Sequence, residues 1–564
     1  MDFHVLAEEL FQGVTQTPLD MEKKYPKRDL PKKAQVTRMA PSPTGFIHLG
    51  NLYSALADER IAHKDGGVFY LRIEDTDEKR KVEGAVETII DVLRYFEIEF
   101  DEGAGFCDSE PQNAYAPYFQ RQRVDIYHVF AKELVKKGLA YPCFCTQSEL
   151  EEVRKKQEEN QELTGYYGKY ATCRELTLEQ IKENLKNKKP YVLRLRSGGT
   201  PDGEIVFRDA IKGDIKMPEN MHDIVLLKSD GVPTYHFAHA VDDHLMHTTV
   251  VIRGGEWLAS APIHVELFSA LGFALPIYAH TAHLMKFDEV TGGKRKLSKR
   301  KDPELSLDYY RKDGYHPYAM KVYLLTLLNS NFEEWHEKYS DKNICEFPFS
   351  IEKMSQSGAL FDTDKLANIC KEEFSKLSED EMYDFLYDWA GKQEISKKEV
   401  WFSDKEKLRS ILRLYMGIGQ KRRRKDFICA KQIFDMISYF FENPHVLNTA
   451  SDNKSTEKES NVDAIDASLS KKILEEFIET YDKKDDSGTW FDKIKAIAQE
   501  NGYATDMKAY KANAVAYPGS VTEIAQLVRI AVTGRTNTPD LYAILSILGK
   551  ETITDRIDTF LKYI

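Results

Sequence analysis

Long apolar runs are missing from this chain of 564 residues, and so is a cysteine framework. No stretch of 18 apolar residues occurs, which argues against a membrane-spanning helix. The seven cysteines are few for this length and odd in number, which favours a reducing compartment over a disulfide-stabilised secreted fold. The first residues lack the basic and apolar segments of a signal peptide. We therefore expect a cytoplasmic protein that does not use a membrane.

An excess of positive charge is also missing, since the formal net charge is −12. This argues against a protein that coats nucleic acid along its whole surface, although a single basic face would still bind RNA. The length exceeds what one hydrophobic core holds and indicates three to five domains. No internal repeats occur.

The first informative segment is residues 41–51 (PSPTGFIHLGN), which lies between an apparent strand at 36–40 and a helical apolar pattern that starts at Leu49. An apolar strand follows at 68–73, so the segment belongs to a βαβ unit of the nucleotide-binding type. His48 would stand at the helix N-terminus, where free N–H groups attract phosphate. Gly50 has no Cβ, which leaves room for an adenine ring. A lone His-x-Gly is nevertheless more often incidental.

The second segment, residues 291–301 (TGGKRKLSKRK), is a glycine-hinged basic loop, and its Lys296 lies 248 residues after His48 (296 − 48). Such a charge run is usually a solvated surface. Here Lys296 and Lys299, three residues apart, would instead contact the β- and γ-phosphates of a triphosphate as charge develops on pyrophosphate.

Three further segments accompany these two: IEDTD at 73–77, PTYHFAHAVDDH at 233–244, and VIR at 251–253 followed by EWL at 256–258. In this order, the set resembles bacterial-type glutamyl-tRNA synthetase, a class I aminoacyl-tRNA synthetase. The similarity is strong from about residue 37 to 302 and weaker towards residue 564. It implies ATP-dependent ligation of L-glutamate to tRNA(Glu) through a glutamyl-adenylate, with Mg²⁺ as companion of ATP and release of AMP and pyrophosphate.

The resemblance also implies the architecture, an α/β Rossmann-type class I catalytic domain with an inserted acceptor-stem-binding domain, followed by an all-α anticodon-binding half. We expect an N-terminal extension (1–30), the first catalytic half (31–113), the insert (114–230), the second catalytic half (231–302), a stem-contact region (303–374) and the anticodon-binding domain (375–564). Local patterns predict strands at 223–227, 232–240 and 249–253, and helices at 82–96, 121–137 and 147–157. The polar segment 448–470 has no aromatic residue and predicts a flexible loop.

Residue roles follow from the same resemblance. The glutamate-binding residues would be Arg38, Ser42, Glu74, Tyr235, His239 and Arg253. The ATP-binding residues would be His48, Gly50, Asn51, Trp257, Lys296 and Lys299, of which His48, Lys296 and Lys299 are the catalytic ones. Two arginines suit a ligand carboxylate because a guanidinium is always charged and binds bidentately. His239 departs from the family, which commonly has Asn at this position, and this leaves the selectivity between glutamate and glutamine open.

Cys143, Cys145 and Cys173 have a spacing that fits zinc ligands, with no obvious fourth ligand; three ordinary cysteines are the equal alternative. The densest basic run, residues 420–425 (QKRRRK), would contact the anticodon arm or form a solvated helix end.

Two other classes stay open at this point. The first is a related enzyme, either glutaminyl-tRNA synthetase, which has a β-barrel C-terminal half, or a truncated paralogue that glutamylates a modified tRNA base. The second is a non-catalytic tRNA-binding protein on the same scaffold. We expect a monomer; the sequence leaves open whether tRNA(Gln) is also a substrate.

Overall fold

The computed structural model describes residues 2–45, 47–80, 82–105, 114–288, 290–298, 301–393, 395, 397–447 and 466–564. The chain forms two compact units: unit 1 is Met1–Arg311 with Met320–Leu366, and unit 2 is Lys312–Ala319 with Ala367–Ile564. Within these described ranges, no helix has the length and apolar character needed to cross a membrane. The finer six-part division stays a prediction.

Unit 1 contains a parallel sheet that the chain builds in two separate halves. The strands of unit 1 are β1 (Val36–Met39), β2 (Val68–Leu71), β3 (Glu102–Gly103), β4 (Ala140–Cys143), β5 (Val192–Leu195), β6 (Glu204–Asp209), β7 (Gly213–Pro218), β8 (Val225–Leu227), β9 (Val250–Gly254), β10 (Ile277–Thr281), β11 (Leu284–Phe287), β12 (Lys294–Lys296) and β13 (Ala359–Leu360). The first half is β1-β2-β3, and the second is β9-β10 with the β6-β7 hairpin beyond it.

The two halves meet at Val36 and Thr249. The Val36 N–H donates to Thr249 Oγ1 at 2.8 Å, and the Thr249 N–H donates to the Val36 carbonyl at 2.9 Å. The strand order β3-β2-β1-β9-β10 is that of a Rossmann-type sheet, in which ligands bind beyond the carboxyl ends of the strands near the point where the order reverses. A site is therefore expected beyond the ends of β1 and β9.

The helices of unit 1 lie before, between and after these strands along the chain. They are α1 (Phe3–Leu10), α2 (Pro18–Lys24), α3 (Leu49–Lys64), α4 (Ala85–Tyr95), α5 (Val124–Lys136), α6 (Gln147–Glu159), α7 (Leu178–Lys186), α8 (Tyr235–Leu245), α9 (Ala261–Leu271), α10 (Leu307–Asp313), α11 (Pro317–Leu328), α12 (Phe332–Lys338) and α13 (Thr363–Lys376), the last of which runs into unit 2, as α10 and α11 do. The predicted helices at 82–96, 121–137 and 147–157 correspond to α4, α5 and α6.

One predicted strand, at 232–240, is wrong: this segment enters α8. Thr234 has the extended backbone of an N-cap residue, and the buried residues Phe237, Val241 and Leu245 repeat every four positions, which is the spacing of one helix face. The predicted strand at 249–253 is confirmed within one residue as β9.

Residues 1–30, the predicted N-terminal extension, pack onto the rest of unit 1. Lys132 Nζ on α5 lies 2.8 Å from Glu8 Oε2 on α1, and Arg28 Nη1 lies 2.7 Å from Glu102 Oε1. The guanidinium of Arg28 also covers the ring of Tyr115 at 3.8 Å. Residues 1–30 thus brace both halves of the sheet, since the Arg28 Nε–H additionally donates to the carbonyl of Met246.

The regular elements of unit 2 in the described ranges are helices, as predicted for the C-terminal half. They are α14 (Glu379–Lys392), α15 (Lys398–Trp401), α16 (Lys405–Met416), α17 (Ala430–Ile437), α18 (Pro444–Leu447), α19 (Ala467–Thr480), α20 (Ser487–Glu500), α21 (Met507–Ala512), α22 (Val521–Thr533), α23 (Leu541–Leu548) and α24 (Lys550–Phe560). Most of the polar segment predicted as a flexible loop, residues 448–465, lies outside the described residues.

Candidate active site

A cavity of about 590 Å³ opens beyond the carboxyl ends of β1 and β9. The predicted site residues on its lining are Arg38, Ser42, His48, Gly50, Asn51, Glu74, Tyr235, Arg253, Trp257 and Lys296. Residues up to 267 positions apart in the sequence (305 − 38, from Arg38 to Leu305) therefore share one cavity. Lys299 lies outside the described residues, so its predicted role stays a prediction.

His48 is the N-cap residue of α3, as the sequence predicts. Its backbone N–H donates to Asn51 Oδ1 at 3.0 Å, which fixes the first turn of the helix. A Cβ on Gly50 would lie 3.1 Å from His48 Nδ1, so a glycine at this position lets the imidazole lie against the helix backbone. The helix N-terminus and the imidazole together form a wall of the cavity whose chemistry suits an anion.

The segment before α3 is joined to the end of β2. The Glu74 N–H donates to the Pro41 carbonyl at 3.0 Å, and Ser42 Oγ donates to the Glu74 carbonyl at 2.9 Å. Segments 41–51 and 73–77 are therefore hydrogen-bonded to each other. The buried Glu74 carboxylate then faces the same cavity as the Arg38 guanidinium.

Below Arg38 and Glu74 lies an ion network that sequence reasoning missed. Arg72 is fully buried; its Nη1 lies 2.7 Å from Asp243 Oδ1 and its Nη2 lies 3.1 Å from Glu74 Oε1. Arg38 Nε lies 3.4 Å from the other oxygen of Asp243. Asp242 accepts hydrogen bonds from Arg123, Gln120 and Tyr127. An arginine within the apolar strand 68–73 is a signal that would have indicated this network.

Burial and neighbouring charges set the protonation of these carboxyl groups. Burial alone would raise the pKa of Asp243, but Arg72 and Arg38 hold it well below its usual range. Burial raises the pKa of Glu74 to about 7, against the attraction of Arg72. Burial also raises the pKa of Asp58, a second carboxyl group on the lining, well above its ordinary value. The cavity thus combines permanent cations with two carboxyl groups, Glu74 and Asp58, whose pKa values burial raises.

Aromatic rings form one side of the cavity. Tyr235 packs against Trp257 with ring centroids 4.7 Å apart. His239 stacks behind Tyr235 at 5.7 Å. The structure places this histidine beneath the lining: it is fully buried, its Nδ1 lies 2.9 Å from Asp243 Oδ2, and its Nε2 lies 3.1 Å from the Tyr278 hydroxyl. Burial lowers the pKa of His239 to about 4, so this residue carries no charge at neutral pH.

Arg253 is surrounded by histidines rather than carboxylates. His280 and His264 accept hydrogen bonds from its guanidinium, at 2.9 Å and 3.0 Å. Both histidines are fully buried. Sequence reasoning missed them because neither stands within a recognised motif.

The loop of the second motif is closed by an ion pair. Arg295 donates through both Nη atoms to Asp302, at 2.6 Å and 2.7 Å, and the Ser298 N–H donates to the same carboxylate at 2.8 Å. Lys296 stands exposed on β12, with its Nζ 3.9 Å from Glu256 Oε2. The loop therefore presents a lysine ammonium to the cavity.

Cys143, Cys145 and Cys173 come together at the end of β4, and their Sγ atoms all lie within 4.8 Å of one another. Cys145 Sγ lies 3.5 Å from Cys173 Sγ. The Tyr166 hydroxyl lies 3.3 Å from Cys145 Sγ and accepts from the Cys173 N–H. A zinc ion with Zn–S bonds of about 2.3 Å separates tetrahedral sulfurs by roughly 3.8 Å, so the three thiols fit such an ion.

The basic run lies between α16 and α17 of unit 2. Lys421 and Arg422 are exposed. Arg424 Nη2 is paired with Asp426 at 2.6 Å, and Lys425 is paired with Glu372. The run thus contains three exposed cations, Lys421, Arg422 and Arg423, next to two that pair with neighbouring carboxylates. The Arg423 side chain donates to the Leu377 carbonyl.

Two family models match the chain. Residues 35–368 match the catalytic domain of class I tRNA synthetases (E and Q), and residues 389–561 match an anticodon-binding domain. The first match covers more than half of the chain and includes every described residue of the cavity lining.

Curated relatives and solved structures agree. A glutamate–tRNA ligase of Acetivibrio thermocellus is 51% identical over 562 residues, covering 100% of both chains. One from Clostridium perfringens is 43% identical over 561 residues, again covering 100% of both. The crystal structure of a glutamate tRNA ligase from Elizabethkingia meningosepticum in complex with its amino acid matches with a TM-score of 0.70 at 27% identity, covering 94% of this chain and 99% of that one. Family models and full-length relatives together show that the chain belongs to the glutamate–tRNA ligase family of class I tRNA synthetases.

Proposed function

We propose that this enzyme ligates L-glutamate to tRNA(Glu) in two steps. The α-carboxylate of glutamate attacks the α-phosphate of ATP, which forms glutamyl-adenylate and releases pyrophosphate. A ribose hydroxyl at the tRNA 3′ end then takes the glutamyl group and releases AMP. The observation that carries the proposal is one cavity with two buried guanidiniums, Arg38 and Arg253, and a wall at His48 whose chemistry suits an anion.

Glutamate would lie between the two guanidiniums, which pair with its side-chain carboxylate. Glu74 as a carboxylate would bind the α-amino group, and Ser42 and Tyr235 would orient the backbone of the amino acid. His239 would act from behind Tyr235, by holding the ring it stacks on. Positioning of this kind supplies much of the rate enhancement in a phosphoryl-transfer site.

ATP would lie along the N-terminus of α3, with the adenine between Gly50, Asn51 and Trp257. His48, Lys296 and Lys299 would stabilise the charge that develops on the leaving pyrophosphate. Mg²⁺ would accompany the triphosphate, held mainly by phosphate oxygens and water. Glu256 is the carboxylate that lines the cavity beside Lys296 and fits this ion as a protein partner.

The cysteine cluster would hold a structural zinc ion through Cys143, Cys145 and Cys173. The Tyr166 oxygen, 3.3 Å from Cys145 Sγ, is our candidate for the fourth ligand. A bound zinc would link β4 to the short helix around Cys173 and stabilise the insert. Metal content of the purified enzyme, compared with that of Cys173→Ser, tests this directly: about one equivalent is expected in the wild type and little in the variant.

Unit 2 would bind the anticodon arm, and the insert would bind the acceptor stem. The helical character of unit 2 disfavours glutaminyl-tRNA synthetase, which has a β-barrel C-terminal half. It supports tRNA(Glu) as the main partner. Whether tRNA(Gln) is also charged depends on anticodon contacts. We place the enzyme in the cytoplasm as a monomer, with the six-part domain division given above.

Aminoacylation assays with purified tRNA(Glu) and tRNA(Gln) test the proposal. Glutamate, ATP and Mg²⁺ with tRNA(Glu) should yield glutamyl-tRNA, and pyrophosphate exchange without tRNA should stay near background. Absence of charging with either tRNA would overturn the assignment. Charging by glutamine instead of glutamate would favour the glutaminyl alternative.

A further inference from the structure

A chain of buried side chains leads from Asp209 to the guanidinium of Arg253. Arg253 on β9 and His280 on β10 are register partners in the parallel sheet. The Arg253 Nε–H donates to His280 Nε2 at 2.9 Å. On the far side of that ring, His280 Nδ1 lies 2.6 Å from Asp209 Oδ2. Asp209 ends β6, which pairs with β10 in the sheet, so a residue from outside the recognised motifs reaches the cavity through His280.

A second branch starts from another nitrogen of the same guanidinium. Arg253 Nη1 lies 3.0 Å from His264 Nδ1 on α9. His264 Nε2 in turn lies 3.0 Å from His236 Nδ1 on α8. The Tyr278 ring lies below, 4.5 Å from the guanidinium carbon. Two helices and two strands thus contribute to holding one side chain.

Hydrogen-bond logic assigns the protons in both branches. A guanidinium only donates, so His280 Nε2 and His264 Nδ1 must both be unprotonated acceptors. The remaining proton of His280 is then on Nδ1, where it donates to Asp209, and that of His264 is on Nε2, where it donates to His236. Burial supports these neutral states, because it lowers the pKa of His280, lowers that of His264 well below its ordinary value, and lowers that of His236 to about 4.

The two cavity arginines therefore differ in their surroundings. Arg38 faces the carboxylate of Asp243 at 3.4 Å, whereas the side-chain acceptors on Arg253 are neutral imidazoles. Arg253 Nη2 is buried and has no hydrogen-bond partner among the residues that the structure describes. Its orientation is fixed on two sides, while one donor and most of its charge remain available for an anionic ligand.

We propose that Asp209, His280, His264 and His236 are positioning residues that present Arg253 to the side-chain carboxylate of glutamate. This inference rests on the proposed function. Neutral acceptors hold the guanidinium without neutralising it, so a ligand carboxylate gains more from Arg253 than the uncharged amide of glutamine would. These four residues, which we call the relay, are thereby a determinant of selectivity between glutamate and glutamine.

Paired asparagine and glutamine substitutions test the relay. Asn places an amide oxygen close to the position of an imidazole Nδ1, and Gln places one close to Nε2. His264→Asn and His280→Gln should keep the acceptor for Arg253 and stay within a few-fold of wild type. His264→Gln and His280→Asn should misplace it and raise KM for glutamate about 10- to 100-fold, since a buried donor loses its partner. KM values for ATP and tRNA should stay unchanged, and the kcat/KM preference for glutamate over glutamine should fall.

His445→Gln provides a matched control, because His445 is also buried but belongs to unit 2 and bonds to the Ala531 carbonyl. It should change Tm without changing KM for glutamate. A second check is the double variant His264→Gln with Arg253→Gln. If His264 acts through Arg253, glutamate affinity measured by calorimetry should fall little further than with Arg253→Gln alone.

The outcomes separate the two proposals. A wild-type enzyme that fails to charge tRNA with glutamate overturns the proposed function, whatever the variants do. If the wild type charges glutamate, three results would each overturn the relay: equal effects of Asn and Gln at both histidines, parallel rises in KM for glutamate, ATP and tRNA, or additive losses in the double variant.

Discussion

Arg72 Nη1 lies 2.7 Å from Asp243 Oδ1, and both side chains are completely shielded from solvent. The other oxygen of Asp243 faces Arg38, a cavity residue, at 3.4 Å. One carboxylate in the last turn of α8 therefore orients a guanidinium on β1 and one directly after β2. The orientation of Arg38 and Arg72 in the first half of the sheet therefore depends on Asp243, which lies on the helix before β9.

Asp243→Asn should strongly destabilise unit 1, because it leaves two buried guanidiniums without their shared counter-ion. Removal of one partner of a buried ion pair typically costs about 3–5 kcal/mol. Urea unfolding followed by tryptophan fluorescence measures the change. Glu158→Gln is the control, since it breaks the exposed pair with Arg154 and should have little effect. Equal stability of the two variants would show that Asp243 is dispensable.

Glu74 should make glutamate use pH-dependent near neutrality. Burial raises its pKa to about 7, and only the carboxylate form binds an ammonium group. Log(kcat/KM) for glutamate should therefore rise with pH up to about 7 and level off above it. The same shift means that the folded enzyme holds a proton that the unfolded chain releases, so the free energy of unfolding should fall as pH rises from about 4.5 to about 7.

Glu74→Gln separates this effect from other titrations. The variant should lose activity and also lose the step near pH 7. The buried His236 and His239, whose pKa values lie at about 4, should leave the profile flat in this range. A step that persists in the glutamine variant would assign the titration to another group.

Lys296→Ala should lower kcat about 100- to 1,000-fold with little change in KM for ATP. Its ammonium would act on charge that develops as pyrophosphate leaves, and loss of one such donor costs about 2.7–4 kcal/mol. Single-turnover kinetics at saturating ATP gives the measurement. Lys294→Ala is the matched control, because Lys294 lies exposed on the same strand, with its Nζ 6.0 Å from the Phe287 ring. A rise in KM at constant kcat would instead assign Lys296 to ground-state binding.

Lys421→Glu with Arg422→Glu should weaken tRNA binding and leave ATP binding unchanged. Each lost phosphate contact should reduce the steepness of log affinity against log salt by about 0.9. Arg424 is a poorer target, since Asp426 already neutralises it. Lys471→Glu with Lys472→Glu, on the exposed face of α19, provides a charge-matched control. An unchanged salt slope would identify the run as a solvated surface.

The βαβ unit around His48 was predictable because its signals are local. The prolines and glycine of the turn, the i, i+3, i+4 pattern after Leu49 and the apolar strand at 68–73 all lie within about 40 residues. The strand predicted at 232–240 was wrong for a physical reason: short aromatic and β-branched runs suit both strands and helices. There the outcome was decided by burial of Phe237 and Val241 on one face of α8.

The support beneath the cavity was not predictable in the same way. Asp209 and His280 are 71 residues apart, and Arg72 and Asp243 are 171 apart. No periodicity connects such pairs; only the closed fold brings them within hydrogen-bond distance. The resemblance therefore identified side chains on the cavity lining. It did not identify the buried residues, such as Asp209 and Arg72, that bond to them or to their partners.

The hydrogen bonds between Val36 and Thr249 can form only long after β1 has been synthesised. The two residues are separated by 213 positions, so the inner edge of β1 has no neighbouring strand when it leaves the ribosome. At about 5–20 residues per second, β9 follows roughly 10–40 s later. During that interval an open strand edge is exposed to other nascent chains. The N-terminal extension likewise emerges before its partners, since Lys132 on α5, which pairs with Glu8, and Met246, which accepts from Arg28, are made later.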